Sequence, residues 1–368
     1  MKKQRSTRAA LVRFAQVATA SAAFALIAAC GGGGDDNNST PAGGVKLQVV
    51  SFGDSLSDVG TYAPVAAANF GGGRFTTNPG QVWVQNVAQY YGDTLTPAMT
   101  GGFGTPPATQ AGLGYAQGGA LVTNPIGINH VSNDPANYTG ALTVPIVQQV
   151  QNYLTAHGSF NSNQLVIVNG GGNDILYNFQ LAVAGAITPA QASAAIGKAA
   201  IDLAGVIGKV LQSGATHVLV SNVPDIGTTP QGMMSSAANR ALLSQASAGF
   251  NQALAAALTQ SGLMSKVIYL DIVPVLANVT ANFQQFGFTV SNTGTACNLQ
   301  AMAAAAQKFG EPNPQAFATS LFCSPETLTV AGADQTYMYA DTVHPTTHLG
   351  ALYAQAAEQV VAKSGLGK

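Results

Sequence analysis

Four short runs dense in Val, Ile and Leu are apolar at successive positions rather than at alternate ones: LQVVSF from Leu47, QLVIVNG from Gln164, THVLVSNVP from Thr216 and KVIYLDI from Lys266. A strand buried on both faces has this signature, and parallel strands covered by helices are its usual setting. Between the runs lie alanine-rich segments with helical spacing, including Pro189 to Gln212 and Ser235 to Thr259. Strand and helix alternate, which predicts an α/β fold with a mostly parallel sheet. A helix around Gln81 to Tyr91 is expected to feed a further strand near Asp93 to Leu95, making about five strands. Ligands of such sheets bind outside the carboxyl ends of the strands, so the residues after each run are the ones to examine.

Three segments break the alternation: Gly60 to Gly80, Thr96 to Pro135 and Pro274 to Asp341, all rich in Gly, Pro, Asn and Thr. Long connections of this kind commonly form functional walls or lids. Within the last, Leu299 to Phe309 reads as a short helix.

The amino terminus has a different pattern. Lys2, Lys3, Arg5, Arg8 and Arg13 precede the apolar run VATASAAFALIAAC, which is shorter than the roughly 20 residues of a membrane span. Residues 1–29 therefore read as a signal peptide, with Ala28 and Ala29 before Cys30 resembling a lipoprotein cleavage site and Cys30 as the lipid attachment point. An ordinary secretion signal cut nearby is the alternative. Residues 30–46, GGGGDDNNSTPAGG and its continuation, suit a flexible tether, and residues 47–368 are left for the folded domain. A cell-envelope location follows, and Gly31 rather than an aspartate after the cysteine favours the outer membrane of a Gram-negative cell.

Removing the five basic signal residues takes the net charge from −1 to −6, which argues against nucleic acid as a partner. With 47% hydrophobic and 8% charged residues, the chain can bury a large core. Cys297 and Cys323 are the remaining cysteines, and in an exported chain they are expected to form a disulfide. A two-cysteine metal site lacks nearby partners.

The run at Leu47 ends in FGDSLSD, placing Ser55 at a strand's carboxyl end. The backbone N–H groups that open a following helix could receive an oxyanion there, whereas Gly53 with Ser57 or Asp58 could equally make a capped turn. A serine hydroxyl needs a base held by a third group. Of His130, His157, His217, His344 and His348, only His344 has a carboxylate three residues before it, Asp341 in YADTVHPTTHLG. A single turn can join that carboxylate to one imidazole nitrogen and leave the other free. Pro345 restricts the turn and a helix is expected from about Thr347. His344 and His348 as a metal pair would lack the glutamate of HExxH, so no metal is expected.

Acyl transfer also needs donors where negative charge develops. GYAQGGA, Gly114 to Ala120, and VNGGGNDI, Val168 to Ile175, offer unobstructed glycine N–H groups and the Asn173 carboxamide, although turns alone also use glycine. GLGYAQG has the wrong spacing for a dinucleotide fingerprint.

Taken together, Gly53-Asp54-Ser55, Gly118-Gly119, Gly171-Gly172-Asn173-Asp174 and Asp341-x-x-His344 resemble the SGNH, or GDSL, hydrolase family from about Val49 to the chain end. GGGRFTTNPGQVWV, Gly71 to Val84, is similar to the GRFTNG-x-VW stretch of many members. The resemblance implies a flavodoxin-like three-layer α/β/α sandwich. It also implies Ser55 as nucleophile, His344 as general base and then acid, and Asp341 as its orienting carboxylate. The implied oxyanion hole is the Ser55 N–H, the Gly119 N–H and the Asn173 side chain, with Gly118 as the alternative register for the glycine donor.

No cofactor is implied. The motifs are similar to those of secreted bacterial lipases, phospholipases and acyltransferases, and of autotransporter esterases, whose barrel strands are not expected here. A lipoprotein carboxylesterase acting on an ester with an apolar acyl group is the central expectation. A deacetylase or aryl-ester hydrolase on polysaccharide or phenolic esters, or a phospholipase or acyltransferase, is the enzymatic alternative, and a surface-tethered binding protein is the alternative from another class. Phe75, Phe103, Phe283 and Phe286 are candidates for the acyl pocket or, equally, for plain core.

Overall fold

The computed structural model describes residues 40–130, 139–308 and 314–368. The signal peptide, Cys30 and the first part of the tether lie outside the described residues, as do Val131 to Pro135 of the second irregular segment and Phe309 at the end of the expected helix. Among the described residues no helix is long and apolar enough to cross a membrane.

Four strands, β1 (Gln48–Phe52), β4 (Gln164–Val168), β5 (His217–Ser221) and β6 (Ile268–Leu270), form one parallel sheet in the order β1-β4-β5-β6. A separate antiparallel hairpin, β2 (Met99–Gly102) with β3 (Thr105–Thr109), arises within the second irregular segment. The helices are α1 (Ala63–Phe70), α2 (Trp83–Tyr90), α3 (Ile146–His157), α4 (Gly172–Val183), α5 (Pro189–Gln212), α6 (Pro230–Met234), α7 (Ala237–Gln260), α8 (Ile272–Ala281), α9 (Leu299–Lys308), α10 (Ala333–Thr336) and α11 (Thr347–Lys363).

Because strand side chains alternate between faces, each apolar run supplies two cores at once. Val50, Phe52, Val166, Val168, Val218 and Val220 pack with residues of α3, α5 and α7 on one side. Val49, Leu165, Ile167 and Leu219 pack with Trp83, Val87, Tyr353 and Ala357 of α2 and α11 on the other. The result is the three-layer α/β/α arrangement expected from the sequence.

The fifth strand does not form at Asp93 to Leu95. A strand edge must still satisfy its backbone donors, and β1 does so with a patchwork. Leu47 N–H donates to the Tyr91 carbonyl, Val49 N–H to the Asp93 carboxylate at 2.7 Å, and Ser51 N–H to the Leu113 carbonyl, while Tyr115 N–H returns to Ser51. Thr96 and Pro97, next in the chain, turn away to bridge Gly114, and a proline cannot donate to a ladder.

Two further differences concern boundaries. The tether was expected to reach residue 46, yet Gly43 donates to the Tyr90 carbonyl and accepts from Lys368 N–H, so the domain's hydrogen bonding starts earlier. Gly60 to Gly80 was expected to be irregular but contains α1, with a proline in its first turn and left-handed Gly71 closing it.

Cys297 and Cys323 are joined in a disulfide and fully buried. Cys297 N–H donates to the Ala340 carbonyl, and Cys323 closes the short turn Ser320–Phe322. The bridge thus fastens both segments that flank Asp341.

Candidate active site

The carboxyl ends of β1 and β4 and the turn before α11 converge on one cleft. At the end of β1 the chain makes a single 3-10 turn, Ser55–Ser57, rather than the helix expected there. Asp54 caps that turn, accepting the Leu56 N–H, and Ser57 and Asp58 have other tasks. The Ser57 hydroxyl donates to Asn169 Oδ1 and receives the indole N–H of Trp83, while Asn169 Nδ2 donates to Asp54 at 3.0 Å. Asp58 accepts N–H groups from Gly60, Thr61 and Gly118. Gly53 is required by contact: a Cβ there would lie 2.4 Å from Asn169 Oδ1. Burial pushes the carboxyls of Asp54 and Asp58 up, opposed by these hydrogen bonds.

Ser55 Oγ lies 2.8 Å from His344 Nε2. His344 Nδ1 lies 2.7 Å from Asp341 Oδ2, within the one turn that Asp341-x-x-His344 allows. Asp341 is 2% exposed and accepts three backbone N–H groups as well, from Ser320, Val343 and His344. Burial alone would raise its pKa; the His344 imidazole beside it and the N–H donors outweigh burial and hold it well below the usual carboxylate range. An ionised Asp341 keeps the imidazole proton on Nδ1 and leaves Nε2 able to take the serine proton. A hydroxyl so placed can attack a carbonyl carbon. Phe75 closes one side, its ring 5.0 Å from that of His344.

The expected donors gather at the same cleft. Gly118 commits its N–H to Asp58, whereas among the described residues no partner is seen for the N–H groups of Ser55 and Gly119. Gly119 has φ +81°, and a Cβ there would meet the Ile128 carbonyl at 2.3 Å. Asn173, in the first turn of α4, donates one carboxamide hydrogen to the Ala120 carbonyl, which leaves it a second. The next residue, Asp174, accepts Val122 N–H at 3.2 Å.

Burial raises Asp174 to about 7 despite that bond. A carboxyl raised in the folded state binds a proton there at pH values where the unfolded chain has lost it, so stability falls as pH rises from about 4 through about 7. Asp174→Asn keeps the acceptor and removes the charge. The expected outcome is that the stability lost between pH 5 and pH 8 shrinks by up to about 3 kcal/mol in the variant, read from urea midpoints at the two pH values.

The remaining histidines lie elsewhere. His130 contacts the Ala141 carbonyl and Thr143, His157 faces the Tyr115 hydroxyl, His217 starts β5, and His348 contacts the Gln335 carbonyl with its ring against Phe288. Among the described residues no group of three or more His, Cys, Asp or Glu side chains is placed to hold a metal ion. Phe103 joins Phe75 in the cleft lining, but Phe283 and Phe286 pack instead with Val279, Phe288 and Leu349. Residues not singled out in the sequence also hold the neighbours of the site: Asn169, bonded to Ser57 and Asp54, Gln149, which accepts the Gly53 N–H, and the Ser320 N–H, which donates to Asp341. Asn169 stands within the glycine-rich VNGGGND stretch, which is a signal of a kind; Gln149 and Ser320 carry none.

The profile of the GDSL-like lipases and acylhydrolases matches residues 49–357. The chain is 25% identical over 277 residues to esterase EstA of Pseudomonas aeruginosa, covering 71% of this chain and 41% of that protein, with the same figures for esterase EstA of Pseudomonas putida. It is 28% identical over 256 residues to an uncharacterized protein from the trpE-trpG intergenic region of Pseudomonas putida, covering 65% of this chain and 38% of that one. The chain therefore spans about two fifths of the length of the curated relatives it matches. A family match across residues 49–357, most of the described domain, shows that the chain belongs to the GDSL-like lipase/acylhydrolase family.

Proposed function

We infer that this protein is a serine carboxylesterase that hydrolyses neutral esters with a short or medium apolar acyl group. The observation that carries the reading is the continuous hydrogen-bonded series from Asp341 through His344 to Ser55. Ser55 attacks the ester carbonyl, and His344 takes the hydroxyl proton and delivers it to the departing alcohol. Water, deprotonated by His344, then releases the acid. Asp341 orients the imidazole and supports its cation. Negative charge on the tetrahedral oxygen is received by the N–H groups of Ser55 and Gly119 and by the Asn173 carboxamide, the use of Gly118 N–H by Asp58 favouring Gly119.

The choice of substrate rests on the cleft. Among the described residues its lining contains no Lys or Arg to pair with a phosphate, and apolar side chains such as Phe75, Phe103, Ile128, Leu176, Ile226 and Leu321 dominate. Its volume of about 220 Å³ falls below the roughly 300 to 1,000 Å³ of drug-sized sites. This favours short acyl chains over palmitate. Initial rates on nitrophenyl acetate, butyrate, octanoate and palmitate, for wild type and Ser55→Ala, test the reading; Ser55-dependent activity peaking at butyrate or octanoate is expected, and activity that survives in the variant refutes it.

Asn173→Ala is expected to lower kcat by roughly 100- to 1,000-fold with KM nearly unchanged, because the lost interaction belongs to the transition state. Near-normal kcat would remove Asn173 from the oxyanion hole. The place of action is taken as the cell envelope, through a lipid on Cys30; the buried disulfide is in keeping with an oxidising compartment. Labelled palmitate should enter wild-type protein in cells and not the Cys30→Ala variant.

A further inference from the structure

Behind Ser55, the outer edge of β1 ends in a contact that no strand makes. At Ser51 the edge meets the main chain of Leu113 and Tyr115. Two residues on, at Gly53, a side chain takes over. The carboxamide of Gln149, on α3 and 1% exposed, accepts Gly53 N–H at 2.9 Å and donates to the Gly53 carbonyl at 2.8 Å, standing in for a peptide unit. Its second amide hydrogen goes to the Val144 carbonyl at 2.9 Å. Val144 N–H donates to Gln117 Oε1 at 2.9 Å, and Gln117 N–H returns to the Gly53 carbonyl at 3.2 Å.

The circuit Gly53, Gln149, Val144, Gln117 is closed, buried around Gly53, and joins segments far apart in sequence. It also has a functional address. Ser55 follows Gly53 by two residues, and Gly119 follows Gln117 by two. The two backbone N–H groups assigned to the oxyanion hole therefore hang from two neighbouring members of one hydrogen-bonded ring, Gly53 and Gln117, whose direct bond the two glutamine side chains brace. Neither glutamine lines the cleft.

We propose that Gln149, acting with Gln117, is a positioning residue that fixes the separation of the Ser55 and Gly119 N–H groups before substrate arrives. This rests on the serine esterase reading above. Preorganised donors are effective because they need no rearrangement during reaction, and small misplacements are costly.

The test is Gln149→Met, close in size but unable to bond Gly53, with Ser55→Ala beside it. Active sites are titrated with a phosphonate so that kcat is per competent molecule. The expected result is a fall in kcat of roughly 100-fold with KM within about threefold. Affinity for an alkylboronic acid, which forms a tetrahedral adduct on serine, should fall in parallel, while affinity for the product carboxylic acid stays constant. A purely structural glutamine would lower the titrated fraction or the melting temperature and leave kcat and the boronate-to-product affinity ratio alone; that outcome overturns the proposal. Hydrolysis surviving Ser55→Ala would instead sink the esterase reading itself. Should Gln149→Met fail to fold, amide exchange in the wild-type protein decides. Gly53 and Val144 N–H must be as protected without the boronate as with it, and protection gained only on binding contradicts a ring set in advance.

Discussion

Ser55→Ala is expected to reduce kcat for nitrophenyl butyrate by roughly 10⁵-fold or more while leaving KM within a few-fold of wild type. The effect is this large because the serine, imidazole and carboxylate act as one unit. Without the Oγ no acyl-enzyme forms, and only the oxyanion donors and substrate binding remain. The fold should be untouched, since the Oγ hydrogen bond is to His344 and the turn around it is held by Asp54, Asn169 and Gln149. Matching circular dichroism and melting temperature would separate loss of chemistry from loss of structure. A variant retaining a tenth of the activity would require another nucleophile.

The second large effect is expected from Asp341→Asn, a fall in kcat of about 10⁴-fold. Both carboxylate oxygens are already acceptors: Oδ2 for Ser320 N–H and His344 Nδ1, Oδ1 for the N–H groups of Val343 and His344. Whichever oxygen becomes an amide nitrogen, it faces a donor, and the imidazole loses the anion that supports its charged form. Stability should fall as well, and the pH dependence identifies the cause. The folded-state pKa of Asp341 lies below its ordinary value of 3.8, so its stabilisation is complete above the unfolded value and is lost as pH falls toward the folded one. The difference in urea midpoint between wild type and variant should therefore be large at pH 7 and shrink below about pH 4. An equal difference at both pH values would mean that packing, not the carboxylate, was lost.

The parts of this architecture that were legible in the sequence are those where local pattern and tertiary role coincide. The QLVIV run is buried at all five positions of β4, as a central parallel strand demands. Helix α5 begins behind a Thr188 cap with Pro189 in its first turn and ends at Gln212, and α11 starts at Thr347 after Pro345. Asp341 and His344 were readable because their partnership spans a single turn.

What was not legible depends on contacts distant in sequence. The edge of β1 needed something to pair with, and the chain supplied a carboxylate, two loop segments and a glutamine side chain instead of a strand. No periodicity encodes that. The helix expected after Ser55 is absent because Ser57 is drawn to Asn169 across 112 positions of sequence and Asp58 leaves the helical conformation to accept the Gly60 and Thr61 N–H groups. Helix α1 was hidden because its short alanine-rich segment lies between glycines, and Gln149 because its bond to Gly53 spans 96 positions.

The measurement that bears most directly on the central claim is the mass of the protein after reaction with a nitrophenyl alkylphosphonate, followed by peptide mapping. One phosphonyl group per molecule is expected, on the peptide containing Ser55, with activity lost in step with labelling, and no labelling of Ser55→Ala. Modification of a different residue, or unmodified protein that continues to hydrolyse esters, would contradict it.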